Sequence, residues 1–300
     1  MEQGKIVLVT GATGFIGRRL VPELLRRGRR VRCLVRNPGV ELPPGVEKAV
    51  GDLLRRETLD AAFAGVDAAY YLVHSLRSAD GFEEKDRLAA RNFVEAADAA
   101  ALRRGIYLGG LGEGELSPHL ASRREVGEIL AGGSFRLTTL RAPVIIGHGG
   151  ASYRIIRSLV ARFPLIPAPR SVETLSQPIA VQDVIGYLAG VLEVAETAGK
   201  TYDICGPELL TYRDLIERVA RAHGRAPLVI ESSLVTGGMV NRLAGFLAPD
   251  QPAVSAALLP GLGNEVVCGE RRIRQLIPIE PTPLDEALRV AREEEEKEAT

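Results

Sequence analysis

One octapeptide constrains this chain more than any other, Thr10-Gly11-Ala12-Thr13-Gly14-Phe15-Ile16-Gly17. It follows the apolar run Lys5–Val9, which reads as a buried strand. It leads into an apolar pattern at helical spacing from Phe15 to Leu25, stopped by Arg26-Arg27-Gly28. At such a strand-to-helix turn each glycine has its own task. Gly11 permits the sharp turn, Gly14 lets the main chain approach a diphosphate, and Gly17 is expected to let the helix pack closely on a sheet. The first amides of the helix then face an anion. The turn predicts a dinucleotide site built from Gly11, Thr13, Gly14, Phe15, Ile16 and Gly17; the alternative is an ordinary glycine-rich turn.

Which dinucleotide is decided after the second strand, Val31–Val35. An acidic residue there favours the ribose hydroxyls of NAD. This chain has Arg36-Asn37 and no carboxylate until Glu41. The planar, permanently charged guanidinium of Arg36 suits a 2′-phosphate, so NADP(H) is the expected cofactor, unless Arg36 is a solvated loop cation. Arg18 is a second candidate for that phosphate. Asp52, with Leu53 beside it, follows a third strand at Val46–Val50. It is expected either to accept from the adenine amino group or to cap the helix that starts at Leu53.

Strand and helix patterns keep alternating. Leu53–Phe63 reads as a helix, Ala68–Val73 as a strand covered on both faces, and Phe82–Ala100 as a long amphipathic helix. Ile106–Leu108 is a fifth strand, His119–Leu130 a helix, and Leu137–Ile146 contains a sixth strand. This pattern predicts an α/β fold, a doubly wound parallel-sheet Rossmann fold, with strand C-termini along one cleft edge. Beyond Gly149 the pattern loosens. Arg154–Phe163, Val184–Val194, Tyr212–Ala222 and Leu284–Glu298 read as helices, and Tyr202–Cys205 and Leu228–Ile230 as strands. Ile166–Arg170 reads as irregular, and Ser232–Leu262 as apolar helices broken by Gly and Pro. The organisation expected is a Rossmann core over 1–150 and a smaller C-terminal α/β substrate lobe over 151–300, partly completing the sheet.

Composition removes several classes. The 300 residues hold 38 Lys plus Arg against 38 Asp plus Glu, so no net charge draws the chain to nucleic acid. No apolar run reaches the length of a membrane span, and no leader is evident. Cys33, Cys205 and Cys268 are three, odd and far apart; small core residues in a reducing cytoplasm are expected, rather than a disulfide framework or a zinc site. A small-molecule substrate and a monomer or homodimer are consistent with all of this.

The chain resembles the short-chain dehydrogenase/reductase superfamily, in its extended and atypical branches near the NmrA-like and epimerase/dehydratase-like groups. The resemblance rests on Val9–Gly17, Leu34-Val35-Arg36-Asn37-Pro38, Gly51-Asp52-Leu53, Leu140-Arg141-Ala142-Pro143 and Pro178–Val184. It implies nicotinamide contacts from Pro143 and Val144. It also implies a Ser after the fifth strand and Tyr-x-x-x-Lys on the next helix, and here the chain departs from it. Gly109-Gly110 stands after the strand, and His119 and Arg123 take the Tyr and Lys places on one helix face. Arg123 stays protonated and is a poor substitute for the lysine, whereas an imidazole that titrates near neutrality makes His119 a candidate general acid.

His74, His119 and His148 follow the fourth, fifth and sixth strands and are all expected at the cleft edge, with His74 a further catalytic candidate. His223 is expected to serve only as a helix C-terminal charge. Tyr70, Tyr71 and Tyr107 are expected in the core. Two functions fit these residues. One is an oxidoreductase acting on a small carbonyl or quinone-like substrate, with Leu234–Leu262 capping the cleft. The other is a non-catalytic NADP(H)-binding sensor or accessory subunit, favoured by the altered Tyr and Lys positions.

Overall fold

The computed structural model describes residues 5–75, 81–232, 235, 254 and 258–298. The first half alternates β1 (Ile6–Thr10), α1 (Gly17–Arg26), β2 (Arg30–Val35), β3 (Glu47–Val50), α2 (Asp60–Phe63), β4 (Val66–Tyr71), α3 (Phe82–Ala99), β5 (Arg104–Gly110), α4 (Pro118–Ala131) and β6 (Arg136–Ala142). The chain continues through β7 (Ile145–Ile146), α5 (Ala151–Arg162), β8 (Leu165–Ala168), β9 (Leu175–Ser176), β10 (Ile179–Ala180) and α6 (Val181–Val191). It ends with β11 (Thr201–Asp203), β12 (Leu210–Thr211), α7 (Tyr212–Ala222), β13 (Leu228–Glu231), α8 (Arg272–Leu276) and α9 (Leu284–Glu298).

Seven parallel strands form the sheet in the order β11-β6-β5-β4-β1-β2-β3. The strand order reverses at β1 and β4, and this switch point is where a doubly wound sheet opens a cleft at its C-terminal edge. β1 is buried at every residue, because helices cover both faces. On one face Leu20, Val21 and Leu24 of α1 pack with Val184 and Leu188 of α6. On the other, α2, α3 and α4 bury Phe63, Phe93 and Leu130, and the Tyr71 and Phe93 rings meet edge-to-face at 5.2 Å. A third cluster joins α5, α7 and α9 through residues such as Tyr153, Leu215 and Leu288. Tyr70, Tyr71 and Tyr107 are fully buried, as their strand positions imply.

Three local expectations change, and a fourth is mostly untested. Leu53–Phe63 is a 3-10 turn over Arg56–Thr58 and then the single helical turn α2, because Thr58 folds back on the main chain of Asp52 and Arg55. Ile166–Arg170 is not irregular throughout: β8 pairs with β13 in parallel and includes Pro167. A two-stranded ribbon is all edge, so it tolerates a residue without an N–H. Most of the segment read as a cap, Leu234–Leu262, lies outside the described residues, although Leu258 and Gly261 line the cleft. Finally, Cys205 and Cys268 are joined by a disulfide with Cα atoms 6.1 Å apart, while Cys33 alone is a buried thiol. The odd count misled because one cysteine belongs to the sheet core and the other two meet only through the tertiary fold. Among the described residues no His, Cys, Asp or Glu cluster is arranged to hold a metal ion. None of the described helices is long and apolar enough to cross a membrane.

Candidate active site

The glycine turn has sharply different constraints at its three positions. Gly11 is at φ +70°, and a Cβ there would lie 2.6 Å from the Leu72 carbonyl oxygen of β4's extension. A Cβ on Gly17 would lie 2.2 Å from the Gly11 oxygen and 2.6 Å from the Ala12 Cα. Gly17 is therefore required by the turn itself, rather than by helix-to-sheet contact as its spacing suggested. Gly14 donates to the Gly11 carbonyl at 3.0 Å and presents its bare Cα to the cleft. Thr13 is exposed at the tip of the turn and does not border the cleft.

The start of α1 suits an anion. Ile16 at the N-cap supplies no side-chain hydrogen bond, and the first turn holds no acidic residue. Among the described residues the amides of Phe15, Ile16 and Gly17 have no hydrogen-bond partner. A helix end left in this state is satisfied by water or by a ligand anion, and a diphosphate fits it. Arg36 is exposed at the end of β2 and makes no hydrogen bond or ion pair among the described residues. Arg18, the other phosphate candidate, turns away, with its guanidinium on the His148 carbonyl at 3.2 Å. Asp52 caps its turn by accepting from the Leu54 amide at 3.0 Å. Leu53 is buried, and its carbonyl takes the Asn92 amide at 2.7 Å. Pro143 and Val144 line the cleft beyond the turn.

From the glycine turn one continuous cleft of about 300 Å³ runs to α4. Its far part is walled by Leu72, Leu108, Leu120, Ile155, Tyr212 and Val266, with His74, His119 and Arg123 among its polar side chains. The structure thus brings together His119 and Arg123, one helical turn apart on α4, with His74 from the loop after β4. Arg123 is held rigidly. Its guanidinium donates to the Leu108 carbonyl and lies over the Tyr107 ring, while the Tyr107 hydroxyl donates to the Arg123 carbonyl at 2.8 Å. Burial, then the charges of Arg123 and His74, push the His119 imidazole down to about 3. That corrects the expectation of a general acid titrating near neutrality. His119 is neutral there and acts as a hydrogen-bond donor or acceptor.

His148 does not join the set. The chain reverses through Gly147–Gly150, with Gly149 at φ +81°, and this turns His148 outward onto Glu298 of α9. Its carbonyl, in turn, holds both Arg18 and Arg19. His223 caps the end of α7 and contacts Val219, Tyr153 and Glu295.

Sequence reasoning missed Asp86. This carboxylate is buried in α3, accepts from the Ser75 amide at 2.6 Å and faces the Ser122 hydroxyl at 3.4 Å. It ties the loop bearing His74 to the helix bearing His119, and burial pushes its carboxyl above the usual carboxylate range. A signal was present: Asp86 falls on the same helical stripe as Ala89, Ala90 and Phe93, an acid on an otherwise apolar face.

The switch-point cleft, glycine turn and uncapped helix define a nicotinamide-dinucleotide-binding Rossmann protein. Residues 11–158 match the family model described as NAD(P)H-binding. The Rossmann-like fold is shared with solved proteins: a nucleoside-diphosphate-sugar epimerase from Staphylococcus aureus superposes with a TM-score of 0.76 at 17% identity, covering 94% of this chain and 99% of that one. Among curated relatives, ceramide reductase of Caulobacter vibrioides is 28% identical over 251 residues, 78% of this chain and 76% of that protein. NADH dehydrogenase [ubiquinone] 1 alpha subcomplex subunit 9 of Arabidopsis thaliana is 26% identical over 230 residues, 71% of this chain but only 57% of that protein.

Proposed function

We propose that this chain is an NADP(H)-dependent reductase of an apolar carbonyl or quinone-like substrate, with the Rossmann core at 1–150 and a substrate lobe at 151–300. The observation that carries this reading is the unbroken cleft from the bare Gly14 Cα to His119 and Arg123. NADPH bound on the glycine turn supplies a hydride. Gly11, Gly14, Phe15, Ile16 and Gly17 form its diphosphate cradle, and Pro143 borders its ring. Arg36 selects the 2′-phosphate, for which its exposed, unengaged guanidinium is suited.

His119, neutral and fixed on α4, donates a hydrogen bond to the substrate oxygen where negative charge grows, and the proton that completes the reduced product comes from solvent water. Arg123 adds a permanent positive field beside it. A neutral imidazole in this role is a known electrophilic device. His74 completes the polar edge. The leucine and isoleucine walls exclude water, which strengthens these interactions. The likeness to ceramide reductase supports a reductive role on an apolar substrate. The test is NADPH oxidation against a panel of quinones and carbonyls, with wild type and His119→Gln. Turnover by the wild type and a loss of at least tenfold in kcat for His119→Gln support the reading; equal turnover by both contradicts it.

A second reading, a non-catalytic NADP(H)-binding sensor or accessory subunit, is favoured by Arg123. At the position of the resemblance's lysine, its guanidinium is already engaged by the Leu108 carbonyl and the Tyr107 ring. Tight NADPH binding with no turnover on any acceptor selects this reading.

A further inference from the structure

After the described part of the chain resumes at Leu258, residues 264–269 run as a strap over the far wall of the cleft. Val266 is the centre of the strap. It donates to the Leu175 carbonyl, accepts from the Gln177 amide, both at 3.1 Å, and lines the cleft. At one end the buried Asn264 grips the entrance of α4. Its Oδ1 accepts from the Ser117 amide at 2.9 Å, and its Nδ2 donates to the Glu115 carbonyl at 2.6 Å. Ser117 is the N-cap of α4, two residues before His119. At the other end Cys268 is bonded to Cys205, just past β11, and the Cys268 amide donates to Gln177 Oε1 at 3.3 Å. The next amide, Gly269, donates to Asp203 Oδ2 at 3.2 Å, and Asp203 is itself paired with Arg141 of β6.

We propose that Asn264 is a positioning residue for His119, and that the Cys205–Cys268 disulfide anchors the strap that carries it, so that reducing this bond loosens the polar end of the cleft. The physical chain is short. Ser117's amide is buried and has no intrahelical partner, so the Asn264 oxygen satisfies a donor that would otherwise remain unpaired. Asn264 also fixes the carbonyl two residues earlier, and this sets the direction in which α4 begins. Without the grip the first turn frays, water reaches His119, and the desolvation that keeps it neutral is relieved. Among the described residues the strap is otherwise tied down by single hydrogen bonds to Leu175, Gln177 and Asp203, so the covalent link at Cys268 is the strongest of the anchors that keep Asn264 in place. Reduction by a small dithiol breaks the S–S bond; both sulfurs become thiols, taking two electrons and two protons from the dithiol, which closes to a cyclic disulfide.

The role assigned to His119 rests on the reductase reading, so the test does not depend on turnover. The His Cε1 resonances are followed by NMR between about pH 5 and 8 for wild type, Asn264→Ala and the dithiol-reduced wild type. Far-UV circular dichroism confirms the fold of each. In oxidised wild type the His119 signal, assigned with His119→Gln, stays constant, because its pKa lies near 3. In Asn264→Ala and in the reduced protein it titrates, with a midpoint moved toward the ordinary histidine value. Asn264→Asp keeps the acceptor for Ser117 and restores most of the wild-type behaviour. If Asn264→Ala does not fold, the reduced wild type decides. A His119 signal that stays flat in a folded Asn264→Ala or in the reduced protein overturns the proposal. Absence of turnover on every acceptor overturns the reductase reading and leaves this measurement intact.

Discussion

The Tyr107 hydroxyl donates to the carbonyl of Arg123 at 2.8 Å, while the Arg123 guanidinium lies 5.0 Å from the centroid of the Tyr107 ring. The two residues clamp each other, which leaves Arg123 with one orientation at the cleft wall. Lysine keeps the charge but lacks the planar fork that both stacks and donates to Leu108. Arg123→Lys is expected to lower kcat about tenfold, which is about 1.4 kcal/mol, and to leave NADPH affinity unchanged. Steady-state kinetics and a fluorescence titration check this; an unchanged kcat would show that the orientation is irrelevant.

Arg36 stands exposed where the second strand ends, without a partner among the described residues. A charge-assisted bond to a phosphate contributes about 1.5–3 kcal/mol. Arg36→Glu should therefore weaken NADPH at least tenfold and NADH by much less. Equal weakening of both nucleotides would remove Arg36 from the 2′-phosphate site.

The neutral His119 gives stability a defined pH dependence. Its folded pKa, about 3, lies below the ordinary value of 6.5, so the unfolded chain takes up a proton in that window that the native chain does not. The contribution is complete above about pH 6.5 and is lost as pH falls toward 3, with a limiting slope of about 1.4 kcal/mol per unit that water in the cleft reduces. His119→Gln should flatten this acid limb. Urea midpoints at about pH 7.5 and 5 test it. An identical fall in both proteins would mean that His119 is not shielded.

The disulfide closes a loop with a sequence separation of 63 residues. In the chain-entropy account such a link is worth up to about 4 kcal/mol. Cys205→Ser should lower the thermal midpoint by several degrees under non-reducing conditions, and a dithiol should bring wild type to the same value. A reductant that leaves the wild-type midpoint unchanged would contradict the structural role of the bond.

What the sequence disclosed followed the strength of local chemistry. The glycine turn, the long helix α3, the helix α7 over Tyr212–Ala222 and the end helix Leu284–Glu298 were readable because spacing and stop signals agree there. The two-residue strands β7, β9, β10 and β12 carry no period to read, and their existence depends on partners far along the chain. At the site, strand order correctly brought His74 and His119 to the cleft. His148 failed for a backbone reason: the reversal at Gly149 decides its direction, and a side chain's direction after such a turn is not a sequence property. The depressed His119 pKa and the grip of Asn264 on Ser117 are products of burial and tertiary contact, and neither leaves a local pattern.

A nicotinamide dinucleotide diphosphate on the turn at Gly14 underlies every role assigned to the cleft. Isothermal titration of wild type and Gly14→Asp with NADPH and with NADH tests it most directly, since a carboxylate at residue 14 puts both bulk and like charge against the diphosphate. Saturable NADPH binding by the wild type, weaker binding of NADH, and loss of both in a folded Gly14→Asp are the predicted results. Absence of binding heat for either nucleotide with wild type at about millimolar concentration, the limit of weak binding near 4 kcal/mol, would contradict the account.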